Sequence, residues 1–449
     1  MDFDTLKARG LFDQRLPRYT SYPPAPAFHS GVGAGFQRDA IRALDPAEPI
    51  SLYLHIPFCE RLCWFCACRT QGVRSLKPVE TYLHTLEAEL ALMRDLLPAA
   101  VPVSRMHWGG GTPTILPPAL ITRLCDALGE VFEMPSDMEF SVEIDPTLVD
   151  QDKITTLGAH GMTRASIGVQ DFAPQVQASI GREQSYDQTR EAVEQLRAAG
   201  VASLNLDLVY GLPFQSVSGF DRTLDQVLSL SPDRVALFGY AHVPHMAKRQ
   251  VLIPEAALPD DRGRYDLFNH ASQRFAGAGL MAIGIDHFAA PEDSMAKAAR
   301  SGTLRRNFQG YTVDEATTLL GLGASSISRF RQGFVQNAPQ TSAHSRAIRD
   351  GQLSGGRGYV LTDRDRLHGR IIEMLMCDFA IDFKALRLTE AQRDVLAPAL
   401  AALQRECGDM LSITPDRWAL MPQARPLVRR LAHFFDEFSG GEAQYSRVS

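Results

Sequence analysis

The chain has 449 residues, 45% hydrophobic and 22% charged, an ordinary balance for a folded protein that excludes a disordered one. Its 46 basic and 52 acidic residues give a net charge of −6 without long single-sign runs, which argues against a nucleic-acid partner. At about 150 residues per domain, this length suits about three domains, or one large barrel with additions.

The opening Met1-Asp-Phe-Asp carries two acids and no apolar stretch, so it does not read as a signal peptide. No segment approaches the ~18–20 consecutive apolar residues that cross a membrane. A cytoplasmic location is therefore expected. There, clustered thiols bind metal or react rather than form structural disulfides, and the total of seven cysteines is odd.

Residues 1–35 are rich in Pro and Tyr and read as an arm laid over the region that follows. Within a domain expected over 36–350, short β-rich runs alternate with amphipathic stretches from residue 50 to about 330. Strands are expected at Ser51–Ile56, Ser104–Trp108, Met138–Ile144, Arg164–Val169, Ser203–Val209 and Arg234–Tyr240, each rich in Val, Ile or Leu. Helices are expected over Pro78–Leu97, Pro117–Phe132, Gln188–Ala199 and Gly219–Leu228, from apolar residues at three- and four-residue spacing. Ala282–Ile285 is a further strand candidate. Such alternation builds a parallel sheet, and six or more units make a partial or full TIM-type barrel, an α/β fold with its chemistry at the strands' carboxyl ends. Spacing alone leaves closure open. His55, the glycines after Trp108, Glu143, Gln170, Asp207 and Tyr240 all fall at such ends.

Beyond Gly351–Gly358 a small, mostly helical C-terminal domain over 351–449 is expected, with a hairpin near Thr414-Pro-Asp-Arg417, as a cover for the barrel. From residue 360 onward it has 12 basic and 13 acidic residues, no electrostatic footprint for DNA.

Four cysteines fall within ten residues, in Cys59-Glu-Arg-Leu-Cys63-Trp-Phe-Cys66-Ala-Cys68, directly after the first strand. Three readings compete. Buried inert thiols are common singly but rarely cluster. Structural zinc wants four tetrahedral ligands, usually as two separated pairs, and no second pair exists here. A [4Fe–4S] cluster suits the C-x3-C-x2-C spacing, and with three thiolates one iron keeps an open position. The Trp64-Phe65 pair would shield such a cluster from water. Trp108-Gly-Gly-Gly-Thr-Pro-Thr114 is weak evidence by itself, because turns use glycine freely. At a strand's carboxyl end, however, bare backbone lets a ligand approach. Glu143 and Asp207 could accept hydrogen bonds there, or could be structural carboxylates that cap a helix or pair with Arg. Gln170 and Arg182 read equally well as ordinary loop residues.

The cysteine loop behind a barrel's first strand resembles that of the radical S-adenosylmethionine (SAM) enzymes. That resemblance implies a [4Fe–4S] cluster whose open iron binds SAM and whose electron splits it, giving methionine and a 5′-deoxyadenosyl radical. It also implies that Gly110, Gly111 and Thr112 receive the methionine part of SAM.

The resemblance narrows through Arg18-Tyr-Thr-Ser-Tyr-Pro23, Tyr53-Leu-His-Ile-Pro-Phe-Cys59, the extra Cys68, Gly168-Val-Gln-Asp-Phe172, Tyr240-Ala-His-Val-Pro244, Asp286-His-Phe-Ala289 and Arg306-Asn-Phe-Gln-Gly-Tyr-Thr312. Together these are similar to the oxygen-independent coproporphyrinogen III oxidases, over nearly the whole chain. Ile285, where Met is usual, and Pro24, where Thr is usual, depart from the pattern. The resemblance implies oxidative decarboxylation of two propionates of coproporphyrinogen III to vinyls, with two SAM molecules, an electron donor, an electron acceptor and a monomeric enzyme. It implies that Cys59, Cys63 and Cys66 hold the cluster, and that Cys68 acts near substrate. Tyr53, Gly110, Glu143 and Ile327 would line the cluster-bound SAM; Phe65, Gly111, Thr112, Gln170, Arg182, Asp207 and Ala241 would line the second. The substrate has four carboxylates, so Arg18, Lys248, Arg249, Arg305 and Arg306 are candidate partners, with a solvated surface role the alternative. A related branch, the heme chaperones, keeps the three-cysteine loop but usually lacks the fourth cysteine and the Arg-Tyr-Thr-Ser-Tyr-Pro arm.

Overall fold

The computed structural model describes residues 1–12 and 16–438. All six expected strands are present: β1 (Ile50–Ile56), β2 (Val103–Gly110), β3 (Glu139–Ile144), β4 (Met162–Gln170), β5 (Ser203–Tyr210) and β6 (Arg234–Gly239). They lie side by side in chain order and all pair in parallel. Parallel strands covered by helices are buried on both faces, and β1 accordingly buries six of its seven residues. A seventh parallel strand, β7 (Leu319–Leu322), pairs with the outer edge of β1.

The sheet runs on antiparallel at both ends. Ile327–Phe330, Gly333–Asn337 and Gly355–Val360 extend it beyond β7, and His287–Ala289 and Met281–Ile283 extend it beyond β6. Among the described residues the two edges do not pair with each other, so the barrel is partial. Met281–Ile283 overlaps the expected strand at Ala282–Ile285 but runs antiparallel, at the sheet's edge.

Helices α1 (Lys77–Arg94), α2 (Pro118–Gly129), α3 (Gln151–Ala159), α4 (Tyr186–Ala198), α5 (Val217–Ser229) and α6 (Asp261–Gly277) cover the barrel. Their starts are written in the sequence. Ser185 and Gln188 form a capping box for α4, and Asp150 and Ser216 cap α3 and α5. The apolar pattern does not predict α3 or α6, because their buried stripes are narrow. α6 buries only Leu267, Ala271 and Phe275.

One expected boundary and one expected contact differ in the structure. Gly355–Val360 is the sheet's edge strand, so a division at 350/351 would cut the barrel's own sheet. The arm does not rest mainly on the barrel. Its Phe3, Leu6, Leu11, Phe12, Leu16, Tyr19 and Tyr22 share a core with Ile371, Leu375, Leu403, Leu427 and Phe435 of the C-terminal helices. Burying those side chains against a helical partner stabilises the arm far more than contact with a polar barrel rim. The C-terminal region also carries a three-stranded antiparallel sheet, which includes the hairpin of Leu411–Ile413 with Arg417–Leu420. Among the described residues, no helix is long and apolar enough to cross a membrane.

Candidate active site

The cysteine loop sits over the carboxyl ends of β1–β6 and is pinned at three points. At its base, Phe58–Cys59 forms a short parallel ladder with Gln71–Gly72. In its middle, the Trp64 N–H donates to the Ile180 carbonyl at 2.8 Å. From above, the Gln250 side-chain amide donates to the Phe65 carbonyl at 2.8 Å and to the Ala241 carbonyl at 3.1 Å. Ten residues without regular structure are thereby held in one shape.

Beneath the loop lies a cavity of about 390 Å³. Its wall brings together Cys59, Cys63, Cys66 and Cys68, Phe65, Gly110, Gly111 and Thr112, Glu143, Gln170, Arg182, Asp207 and Ala241. These residues span 183 positions of sequence and meet because they lie at strands' carboxyl ends or in the loops and short helix that follow them. Tyr53 and Ile327 do not line this cavity. Tyr53 stands behind it, stacked on the His107 ring at 5.9 Å, while Ile327 begins the strand beyond β7.

Three of the thiols each meet a donor from the barrel or the loop. The Thr112 hydroxyl donates to Cys59 Sγ at 3.6 Å, Arg182 Nη1 to Cys63 Sγ at 3.5 Å, and the Cys68 N–H to Cys66 Sγ at 3.4 Å. The hydrogen bond with the Cys68 side chain, aided by the Arg249 and Arg182 charges, draws the Cys66 thiol down to about 6. At Cys66 this favours thiolate, the form that binds metal, whereas burial pushes the Cys59 thiol up despite its Thr112 donor. Among the described residues no three His, Cys, Asp or Glu side chains gather closely enough for a single metal ion. Three thiols spread around one cavity suit a cluster several atoms wide better than one zinc ion.

The glycine run is a packing requirement. A Cβ on Gly109 would stand 2.7 Å from Glu143 Oε1, and one on Gly111 would stand 2.6 Å from the Phe58 carbonyl oxygen. At Gly110 the backbone has φ +109°, and a Cβ would lie 2.4 Å from His55 Nδ1. The His55 ring is itself fixed. Its Nε2–H donates to the Arg69 carbonyl at 3.1 Å, so Nδ1 accepts from the Tyr53 hydroxyl at 3.0 Å. Burial pushes its pKa down, which keeps the ring neutral.

The two carboxylates are tuned apart. Burial would raise Glu143, but hydrogen bonds from His107 and from the Gly110 N–H (3.0 Å) hold it below the ordinary value. Asp207 is raised to about 6, chiefly by burial and partly by the Glu143 charge, although Ser166 Oγ (2.8 Å) and Asn205 Nδ2 (2.7 Å) donate to it. One carboxyl is firmly ionised at neutral pH and the other is poised, a pattern common at working sites. Arg182 is clamped by Asp145 at 3.2 Å and by the Gly168 carbonyl at 2.9 Å. Gln170 takes a left-handed backbone (φ 67°) at a register break between β4 and β5. That is costly for a non-glycine residue and marks a position held for its side chain.

The sequence reading missed Ser166, Asn205, Asp145 and Gln250. Asn205 and Asp145 were recoverable, because alternation along a strand puts them on the same face as Asp207 and Glu143. Gln250 carried no local signal.

The chain is 55% identical to an oxygen-independent coproporphyrinogen III oxidase of Cereibacter sphaeroides over 446 residues, 99% of each chain. It belongs to the oxygen-independent coproporphyrinogen III oxidase family. A family member from Salmonella typhimurium is 38% identical over 439 residues, covering 96% of this chain and 95% of its own length. The solved structure of coproporphyrinogen III oxidase (HemN) from Escherichia coli, a radical SAM enzyme, matches with a TM-score of 0.89 at 36% identity, over 95% of this chain and all of that one. Residues 53–227 match the radical SAM superfamily, a stretch that runs from β1 into α5. The family's α/β fold, with its parallel strands and helical additions, is the fold described above.

Proposed function

We propose that this chain oxidatively decarboxylates two propionates of coproporphyrinogen III to vinyl groups, giving protoporphyrinogen IX. The observation that carries this is the single cavity in which the three-cysteine loop, Cys68, the glycine run and two oppositely tuned carboxylates meet. Each propionate loses one β-hydrogen atom, CO2 and one electron; its C–COO⁻ bond breaks and a C=C bond forms. Bound SAM would supply the hydrogen-atom acceptor, and a separate acceptor would take the electron. When bound, a [4Fe–4S] cluster and two SAM molecules supply the one-electron cleavage that makes hydrogen-atom abstraction possible.

The chain's own residues hold and orient these groups. Cys59, Cys63 and Cys66 would ligate the cluster. Glu143, kept ionised, would accept from an ammonium, and Gly110 and Gly111 would let the methionine part approach. Asp207 would accept from ribose hydroxyls, while Phe65, Thr112, Gln170, Arg182 and Ala241 would complete the second SAM's wall. Tyr53 and Ile327, outside the cavity, act from behind it, Tyr53 through the His55 ring beneath Gly110. The pinned loop keeps water from the reacting carbon. A monomer in the cytoplasm, fed by a separate electron donor, fits a reduced thiol cluster. The heme-chaperone alternative draws no support from the relatives above.

Anaerobically reconstituted protein with a strong reductant, SAM and coproporphyrinogen III should yield protoporphyrinogen IX, CO2 and 5′-deoxyadenosine. Heme binding without decarboxylation would overturn the reading. The pH profile adds a second test. Because Asp207 is raised to about 6, its acceptor form is lost as pH falls through that value. kcat/KM for SAM should therefore decline about tenfold per pH unit below 6. Asp207→Asn should be slow throughout and lack that limb; an unchanged limb in the variant would assign it to another group.

A further inference from the structure

The cysteine-lined cavity is not alone. A second cavity of about 630 Å³ lies beside it, and the two share Arg18, Gly239, Tyr240 and Ala241 in their walls. A four-ring macrocycle cannot share the smaller space with a cluster and SAM, but it can lie across the seam with one edge toward the cysteines. Among the described residues, Arg18 is the one cationic side chain that lines both spaces. We infer that Arg18 recognises a substrate carboxylate at this seam. The inference rests on the proposed decarboxylation and names a residue that sets its specificity.

Three observations support it. Arg18 is exposed, donates one long hydrogen bond (3.4 Å, to the Gly239 carbonyl), and forms no ion pair within 4.0 Å among the described residues. Its backbone, in contrast, is anchored from two sides. Arg429 Nε donates to the Pro17 carbonyl at 3.0 Å, and Arg306 Nη2 donates to the Arg18 carbonyl at 3.2 Å. A fixed backbone beneath an uncommitted guanidinium is a preorganised carboxylate fork. The nearby acids have their own hydrogen-bond partners: Asp286, which the Arg18 charge also helps to hold ionised without pairing within 4.0 Å, accepts from His287 Nδ1 at 2.6 Å, Asp261 pairs with Lys7 at 3.5 Å, and Asp260 caps α6.

The structure also separates Arg18 from the other cationic candidates. Lys248 and Arg305 line neither cavity. Arg306 lies over the Tyr311 ring at 4.2 Å, and Arg249 lines only the cysteine side, where it donates to Thr70. The arm is thus part of the substrate site, and its core with the C-terminal helices is what positions Arg18.

The test titrates the full-length protein with coproporphyrin III, a fluorescent tetracarboxylate, and with its uncharged tetramethyl ester. Arg18→Gln should weaken binding of the acid roughly 10–100-fold, the range for a charge-assisted pair, and leave the ester unchanged. Arg18→Lys should recover part of the loss. Iron content and SAM binding by equilibrium dialysis should match the parent, and KM for coproporphyrinogen III should rise more than kcat falls. Lys297→Gln, which removes a remote surface charge, should change none of these. Equal losses for acid and ester, or parent-like binding of the acid by Arg18→Gln, would overturn the inference. If the parent binds the acid through Arg18 yet never decarboxylates, the proposed activity fails and the carboxylate site stands.

Discussion

Replacing Cys59, Cys63 or Cys66 by alanine should remove the cluster and all turnover, whereas Cys68→Ala should keep iron and sulfide and lose turnover alone. The physical case rests on what each thiol faces. Cys59, Cys63 and Cys66 receive hydrogen bonds from Thr112, Arg182 and the Cys68 N–H; Cys66 is drawn down by its partners, while burial outweighs the Thr112 contact and pushes the Cys59 thiol up. A soft thiolate cage with one ligand deleted has no fourth protein sulfur at the right position, because Cys68 follows Cys66 by only two residues and its thiol is pushed well above the ordinary value. Cys68 also lowers Cys66, so Cys68→Ser, which keeps a donor, is the cleaner variant. Iron and sulfide per chain, electron paramagnetic resonance of the reduced protein, and 5′-deoxyadenosine formation separate the roles. Loss of iron in both Cys68 variants would make Cys68 a ligand and refute the three-thiol assignment.

Gly110→Ala and Gly111→Ala should each destabilise the fold by about 2 kcal/mol of overpacking, and should weaken SAM binding as His55 or the Phe58 backbone is displaced. The two substitutions fail for different reasons. At Gly110 the positive φ is itself strained for alanine, and the methyl meets a His55 ring fixed by two hydrogen bonds. At Gly111 the obstacle is backbone: the Phe58 carbonyl accepts from the Thr112 N–H at 2.8 Å and cannot yield without opening the base of the cysteine loop. Equilibrium dialysis of SAM, alongside thermal unfolding, checks both. Parent-like affinity in both variants would show that the run serves packing alone.

These two predictions differ in how much of them a reader of the sequence could have made. The cysteine spacing is local, and its chemistry follows from four side chains on one short loop. The glycine run is also local, but its reason is not. His55 and Glu143 come from strands on either side of β2, and only the parallel register brings them against Gly109 and Gly110. The strands were legible because parallel strands buried on both faces read as apolar runs. α6 was not, because one buried residue per turn leaves almost no periodic signal.

The arm shows the same division. Arg18-Tyr-Thr-Ser-Tyr-Pro23 stood out as a motif, but its partner, the C-terminal helical core, lies some 350–410 residues away in sequence. No window on the chain contains both sides of that contact.

Residue types and short spacings, read alone, determine an α/β fold of parallel strands with a clustered thiol loop and glycine-rich and acidic strand ends. They do so because hydrogen bonding, helix capping and thiolate chemistry act within a few residues. Tertiary structure alone decides that the barrel stays open, that Glu143 is held ionised while Asp207 is poised near 6, and that a fixed arm carries one arginine to the seam of two cavities. Those properties depend on burial and on fields from neighbours distant in sequence. Both arise only when the strands have taken their places.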